Sequence, residues 1–321
     1  MKRKIFIGIT IVVVLALVGV ITGVSFYMLN YSLSAQNNKR DEAKMLEGVY
    51  KANTDLRPWL DSLKASESLR DTFITMSNGE RQHAMFVRSA NANGRTALLV
   101  HGYSDNCIRM IDIASIYNRQ LGFNIILPDL HAHGKSDGDD IQMGWKDRLD
   151  ILHWIAVAEK MFASKGHDSQ MVLHGVSMGA ATTMNVSGED TPAYLRCFVE
   201  DCGYTSVWDE FSQELKNRFH LSDFPIMYSS SALCKLRYGW SFGEASPLKQ
   251  VAKCHKPMLF IHGSNDTFVP TAMVHPLYAA KPQPKELWIA PGSEHARSYS
   301  DHKKEYTQRV CNFVNKYVKA D

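Results

Sequence analysis

Six short runs, 96–100, 123–128, 171–174, 196–199, 258–261 and 286–289, constrain the fold of this chain most, because each is apolar at consecutive positions. A half-exposed strand alternates apolar and polar residues. A strand without that alternation is buried on both faces, which is the condition of a parallel sheet covered by helices. The intervening segments fit: 108–120, 142–164, 178–187, 271–281 and 300–318 all carry helix-like patterning. Ahead of the first run, 71–76 and 81–88 flank Ser77-Asn78-Gly79-Glu80. Asn-Gly is a hairpin signal, so an antiparallel pair should open the sheet. The expectation is an α/β domain with a mostly parallel sheet and helices on both faces.

The alternation breaks once, at about 204–254, where Trp208, Phe211, Phe219, Phe224, Tyr228, Trp240 and Phe242 crowd into some fifty residues. Such an insertion is expected to be a small helical cap over the carboxyl edge of the sheet, where open α/β folds bind ligands. A roofed cleft of that kind favours compact substrates. No internal repeat or low-complexity segment is present.

The N-terminus obeys different rules. Met1-Lys2-Arg3-Lys4 precedes an apolar run, 5–29, and no charged residue occurs between Lys4 and Lys39. Twenty-five residues give about 37 Å of helix, enough to cross a hydrocarbon core of about 30 Å. Residues 1–30 are therefore expected to be an uncleaved, single-pass transmembrane signal anchor. A cleaved signal peptide and a buried core helix are the alternatives; the first is disfavoured because its apolar core runs to only about 15 residues and 32–35 is a poor cleavage site. The basic cluster should remain cytoplasmic, placing the rest outside the cell membrane. Residues 31–66 read as a polar spacer followed by short helices from 39 on, and 67–321 as the catalytic domain.

Lys plus Arg number 36 against 33 Asp plus Glu, a net charge of +3 without clustering. That excludes an electrostatic case for nucleic acid and leaves a small molecule as the expected partner. The six cysteines show no CxxC pair and no disulfide framework, and read as buried free thiols.

The chemistry-bearing motif is Gly175-Val176-Ser177-Met178-Gly179, directly after the apolar run 171–174 and before the helical stretch 178–187. A serine on a tight strand-to-helix turn has its Oγ lifted clear of the backbone at a helix N-terminus, and side chains two positions either side would collide with the turn. Ser177 is the expected nucleophile. His101-Gly102-Tyr103 ends the run 96–100, which makes the backbone amides of Tyr103 and Met178 the expected oxyanion-hole donors. His295, on the loop after the run 286–289, is the expected base; His302 falls inside a helical pattern, and His262 ends its strand in a structural position. Asp266, in Gly263-Ser264-Asn265-Asp266, is the expected acid, with Asp201 as the rival. His131 and His133 invite a metal, but nothing in 129–138 completes a ligand set.

These residues resemble the α/β-hydrolase superfamily, and among its members the membrane-anchored or exported bacterial hydrolases of the S9-like serine-peptidase and BEM46-like esterase groups. The resemblance covers about 71–318 and adds Asp129 with His133-Gly134-Lys135-Ser136 and Val269-Pro270 to the motifs above. It implies cofactor-free hydrolysis of esters, less often amides, through an acyl-enzyme. No counterpart of the N-terminal propeller of the S9 oligopeptidases is visible, which favours small esters over peptides. An amidase, peptidase or acyltransferase on the same residues is the alternative. A catalytically silent, membrane-anchored binding module is the reading from another class.

Overall fold

A computed structural model describes residues 2–38 and 41–319. The ends of the expected segments at Met1, Lys39 and Asp321 lie outside these residues. Eight strands form one sheet: β1 (Leu69–Thr75), β2 (Arg81–Val87), β3 (Arg95–Val100), β4 (Asn124–Pro128), β5 (Gln170–Val176), β6 (Leu195–Asp201), β7 (Met258–Gly263) and β8 (Lys285–Ala290). Their spatial order is β1-β2-β4-β3-β5-β6-β7-β8. β2 pairs antiparallel with both β1 and β4, and every later pairing is parallel. The six apolar runs are thus β3 to β8, and the Asn-Gly hairpin joins β1 to β2.

The helices are α1 (Lys2–Leu33), α2 (Glu42–Ala52), α3 (Arg57–Ala65), α4 (Ile111–Ser115), α5 (Asp147–Phe162), α6 (Met178–Ser187), α7 (Val207–Phe219), α8 (Ile226–Tyr238), α9 (Pro247–Val251), α10 (Val274–Ala280), α11 (Ser298–Asp301) and α12 (Lys303–Tyr317). Alternate strand residues explain why both faces need cover. Ala97, Leu99, Ile125, Val172, Val199 and Ile261 join a core with residues of α3, α4 and α12. Leu98, Ile126, Leu173, Phe198 and Phe260 are also buried and point the other way. On that face α5 packs on β3 and β4, α6 on β5, and Tyr278 of α10 meets Phe260 edge-on at 5.7 Å.

Two expected helices are shorter than their periodicity. The stretch 142–164 becomes helical only at Asp147, because Met143 and Gly144 take positive φ of 49° and 72° in a turn whose Gly144 N–H donates to Asp147 Oδ2 at 2.7 Å. The stretch 108–120 divides into a 3₁₀ turn at Cys107–Met110, α4, and a π-helical turn at Ile116–Gln120.

The chain forms two compact units. One holds the sheet and comprises 35–205 and 246–321; the other comprises 1–34 and 206–245. In the second unit Ser206 caps α7, accepting from Asp209 N–H at 3.0 Å and donating to Asp209 Oδ2 at 2.7 Å. Left-handed residues, His220 (φ 55°) and Gly239 (φ 80°), end α7 and α8. Within the insertion Phe242 meets Phe211 edge-on and Trp240 at a tilt. α1 packs on α8, with Ser25 Oγ hydrogen-bonded to Ser229 Oγ. The aromatic-rich stretch read as 204–254 therefore contributes its residues 206–245 to the unit that holds α1, whereas α9 belongs with the sheet. α1 is long and apolar enough to cross a membrane.

Candidate active site

β3 has β4 on one side and β5 on the other, so chain order reverses around it, the switch point at whose carboxyl edge open α/β sheets bind ligands. The residues following β5 and β3 are Ser177 and the pair Gly102-Tyr103. Ser177 has φ 59° and ψ −120°, a conformation that L-residues avoid at a cost of about 1–3 kcal/mol. The surrounding backbone holds it: Ser177 N–H donates to Asp201 O at 2.8 Å, and Ser177 O accepts from Ala181 N–H at 3.0 Å in the first turn of α6. The flanking glycines are dictated by space. A Cβ at Gly175 would lie 2.0 Å from Gly179 O, and a Cβ at Gly179 would lie 2.1 Å from Val100 O. Gly179→Ala is accordingly expected to destabilise the protein by about 3 kcal/mol or more, read as a lowered urea midpoint, because the clash is with backbone and cannot be relieved by a rotamer change. An unchanged midpoint would contradict this account of the turn.

Ser177 Oγ lies 2.8 Å from His295 Nε2, and His295 Nδ1 lies 2.7 Å from Asp266 Oδ2. The loops that carry the two partners are fastened to each other. Ser264 N–H donates to Ala290 O and Asn265 N–H to Ser293 O, both at 2.9 Å. This approach requires Gly263, where a Cβ would sit 2.3 Å from Ser293 O. Asp266 Oδ1 accepts from Phe268 N–H at 3.0 Å and Val269 N–H at 2.9 Å, which leaves Oδ2 for the imidazole. Burial alone would raise the Asp266 pKa; hydrogen bonds and charge from His262 and His295 outweigh it and hold the carboxyl below its ordinary value. An ionised Asp266 accepts a hydrogen bond from Nδ1–H, the tautomer that leaves Nε2 unprotonated to accept from Ser177. The imidazole also lies against the Phe268 ring at 4.9 Å.

Gly102 is in contact with the serine: a Cβ there would be 3.3 Å from Ser177 Cβ. The turn that presents Gly102-Tyr103 is shaped by buried histidines. His101 Nδ1–H donates to Gly102 O at 2.8 Å, and its Nε2 accepts from Leu130 N–H at 3.0 Å. Burial lowers the His101 pKa and keeps the ring neutral, which this donor-and-acceptor pattern requires. His133 accepts from Ser104 N–H at 3.3 Å and is pushed down to about 3, chiefly by burial. Met178 is the first residue of α6, the position of a helix whose N–H has no partner inside the helix.

The rival acid lies elsewhere in the network. Asp201 is fully buried, and its carboxylate accepts from Ser298 Oγ–H at 3.2 Å and Tyr306 O–H at 3.0 Å. Burial raises its pKa to about 6 against the lowering effect of those bonds. His131 and His133 do not converge. His131 bonds Asp140 O and faces Glu80, while His133 Nδ1 bonds His131 O. His302 Nε2–H donates to Pro291 O, on the loop that precedes His295. His262 bonds Val269 O at 2.9 Å and lies 3.4 Å from Asp266 Oδ2. Sequence reasoning passed over that contact because it depends on how the 263–270 loop folds back. It also passed over Cys202, whose sulfur lies within 4.8 Å of the facing atoms of Asp266 and His295. None of the six cysteines is in a disulfide, and all but Cys311 are buried.

Known proteins agree with this architecture. A protein of Bacillus subtilis (strain 168) named YqkD is 28% identical over 220 residues, covering 68% of this chain and 71% of its own. The α/β hydrolase domain-containing protein WAV2 of Arabidopsis thaliana is 23% identical over 256 residues, covering 77% and 79%. Among solved structures, the Pyrococcus furiosus esterase Pf2001 superposes with TM-score 0.62 at 22% identity, over 78% of this chain and 92% of the esterase. The acylaminoacyl peptidase of Pyrococcus horikoshii gives 0.60 at 15% identity, over 79% of this chain and 42% of the larger enzyme. Residues 117–321 match the prolyl oligopeptidase family. Sheet order, serine turn and family match agree, and the chain belongs to the prolyl oligopeptidase family within the α/β-hydrolase superfamily.

Proposed function

We propose that this hydrolase is a serine esterase that cleaves carboxylic esters of small to medium acyl groups through an acyl-enzyme. The observation that carries the proposal is the unbroken line from Ser177 Oγ through His295 to Asp266. In this reading His295 Nε2 takes the serine proton as Oγ attacks the carbonyl, and the amides of Tyr103 and Met178 receive the developing oxyanion. His295 then protonates the departing alcohol, and a water repeats the sequence to free the acid. The acyl size is the sequence expectation drawn from the aromatic-rich stretch 204–254. We further propose that α1 is a single-pass anchor with the sheet-bearing domain outside the membrane, on the strength of Lys2-Arg3-Lys4 before the uncharged run. Protease added to intact cells should then digest that domain; protection would reverse the orientation.

The test of the reaction is kcat/KM across p-nitrophenyl esters of increasing acyl length, beside the corresponding anilides and casein. The expected profile rises with each methylene that finds a place in the site, at about 0.8 kcal/mol apiece, and then falls, with casein uncleaved. A flat profile would remove the acyl pocket from the proposal. Faster cleavage of anilides than esters would favour the second reading, an amidase or peptidase, which the family match supports.

A further inference from the structure

Within the unit formed by 1–34 and 206–245, α1 has two parts. From Ile5 to Val20 every residue is exposed, and inward positions begin at Ile21 and continue at Ser25, Leu29 and Leu33, one per helical turn. Ser25 accepts, through its backbone oxygen, from Ser230 Oγ–H at 3.4 Å, and its hydroxyl meets that of Ser229. Twenty residues, 5 to 24, make about 30 Å of helix, the thickness of a hydrocarbon core. If α1 crosses a bilayer from Ile5, α8 docks on it at the level where the hydrocarbon core would end.

α8 crosses α1 there. Ser229 and Ser230 meet Ser25, while the Arg237 guanidinium stands 5.4 Å from the ring of the next residue, Phe26. Eight residues separate Ser229 from Arg237, about 12 Å along α8, against one residue along α1. Through these side chains, residues 229–237 of α8 reach α1 at the level of Ser25 and Phe26.

The free side of α8 suits that position. Tyr228, Ala232 and Leu236 recur every fourth residue and are exposed, Leu236 by 84%, and Phe224, just before the helix and 75% exposed, sets its ring edge-on to Tyr228 at 6.0 Å. Exposed large apolar side chains in such a row are unusual in water-facing helices. Phe26, Tyr27 and Tyr31 are exposed at the same level of α1, and Tyr27 stacks on Tyr31. Aromatic rings at helix ends with Lys235 and Arg237 beside them are the composition of a headgroup–acyl boundary.

We propose that the face of α8 carrying Tyr228, Ala232 and Leu236, with Phe224 just ahead of the helix, seats in the headgroup–acyl boundary of the same bilayer that α1 crosses. The inference rests on the anchor reading above. It makes the insertion a second membrane contact, which fixes the rotation of the unit about α1 and holds residues 206–245 against the lipid.

The full chain, with Cys311→Ser, is reconstituted in vesicles of phosphatidylcholine containing a minor fraction of phosphatidylglycerol. An environment-sensitive fluorophore is attached at Leu236→Cys, Leu15→Cys or, as an aqueous reference, the exposed Lys165→Cys. Bromines are carried on the acyl chains either near the headgroup or near the chain end. Label at 236 should emit to the blue of label at 165 and lose more intensity to bromines near the headgroup than to those near the chain end. Label at 15 should be quenched from within the chains. Lipid-quenched emission at 15 with water-like emission at 236 overturns the proposal and leaves the anchor standing. Water-like emission at both positions overturns the anchor and the proposal with it.

Discussion

Ser177→Ala is expected to lower ester turnover by roughly four to six orders of magnitude while leaving the urea midpoint close to that of the parent protein. The kinetic part follows from position. Ser177 Oγ is bonded to His295 Nε2, and no other hydroxyl or thiol in the network is placed to take over. Cys202, whose sulfur lies within 4.8 Å of the facing atoms of Asp266 and His295, is fully buried, and burial holds its thiol in the protonated, unreactive form. The stability part follows from what is kept. The turn is held by Ser177 N–H to Asp201 O and by Ala181 N–H to Ser177 O, both backbone bonds that alanine retains. Initial rates on a p-nitrophenyl ester, with fluorophosphonate labelling as a second readout, measure the effect. Turnover within tenfold of the parent protein would remove Ser177 from the reaction.

The parts of this molecule legible from sequence are those fixed by local steric or burial rules. A strand buried on both faces needs consecutive apolar residues, and β3 to β8 all show them. A serine at positive φ between a strand and a helix needs small neighbours, and Gly175 and Gly179 answer to measurable clashes with Gly179 O and Val100 O. What escaped were features made by side chains meeting across distant loops. The late start of α5 depends on the Gly144–Asp147 turn, invisible to a periodicity that runs through 142–164. His262 reaches Asp266 only because 263–270 folds back on β7. The membership of 206–245 in one unit with α1 could not be read at all, since a contact such as Ser25 to Ser229 spans more than 200 residues and no pattern at either end announces it.

The two carboxylates at the ends of β6 and β7 should respond to the same chemical change in opposite ways. Asp266→Asn is expected to lower kcat by about 10⁴, because the amide cannot hold His295 as the Nδ1–H tautomer; an Nδ1 that accepts from the introduced side-chain amide would turn a protonated Nε2 toward Ser177. Asp201→Asn is expected to leave kcat within a few-fold of the parent. Its partners, Ser298 and Tyr306, are hydroxyls that can rotate to donate or accept, so a neutral amide can satisfy them. Its effect should lie in stability and in pH. Asp201 titrates at about 6 in the folded protein and near 3.8 when unfolded. Between those values the folded state binds the extra proton, so the contribution of this group to stability is present below pH 4, declines as pH rises to about 6, and stays lost above it. The loss is roughly 3 kcal/mol at neutral pH. Asparagine carries no charge at any pH and removes that decline. The variant should therefore match or exceed the parent in urea midpoint at pH 7.5, with the difference shrinking toward pH 4. Paired urea melts at the two pH values, run beside kcat for both variants, decide the matter. A kinetic collapse in Asp201→Asn with Asp266→Asn near the parent rate would transfer the acid's role to β6, and a melt difference independent of pH would mean that Asp201 titrates in the folded protein as it does in the unfolded chain.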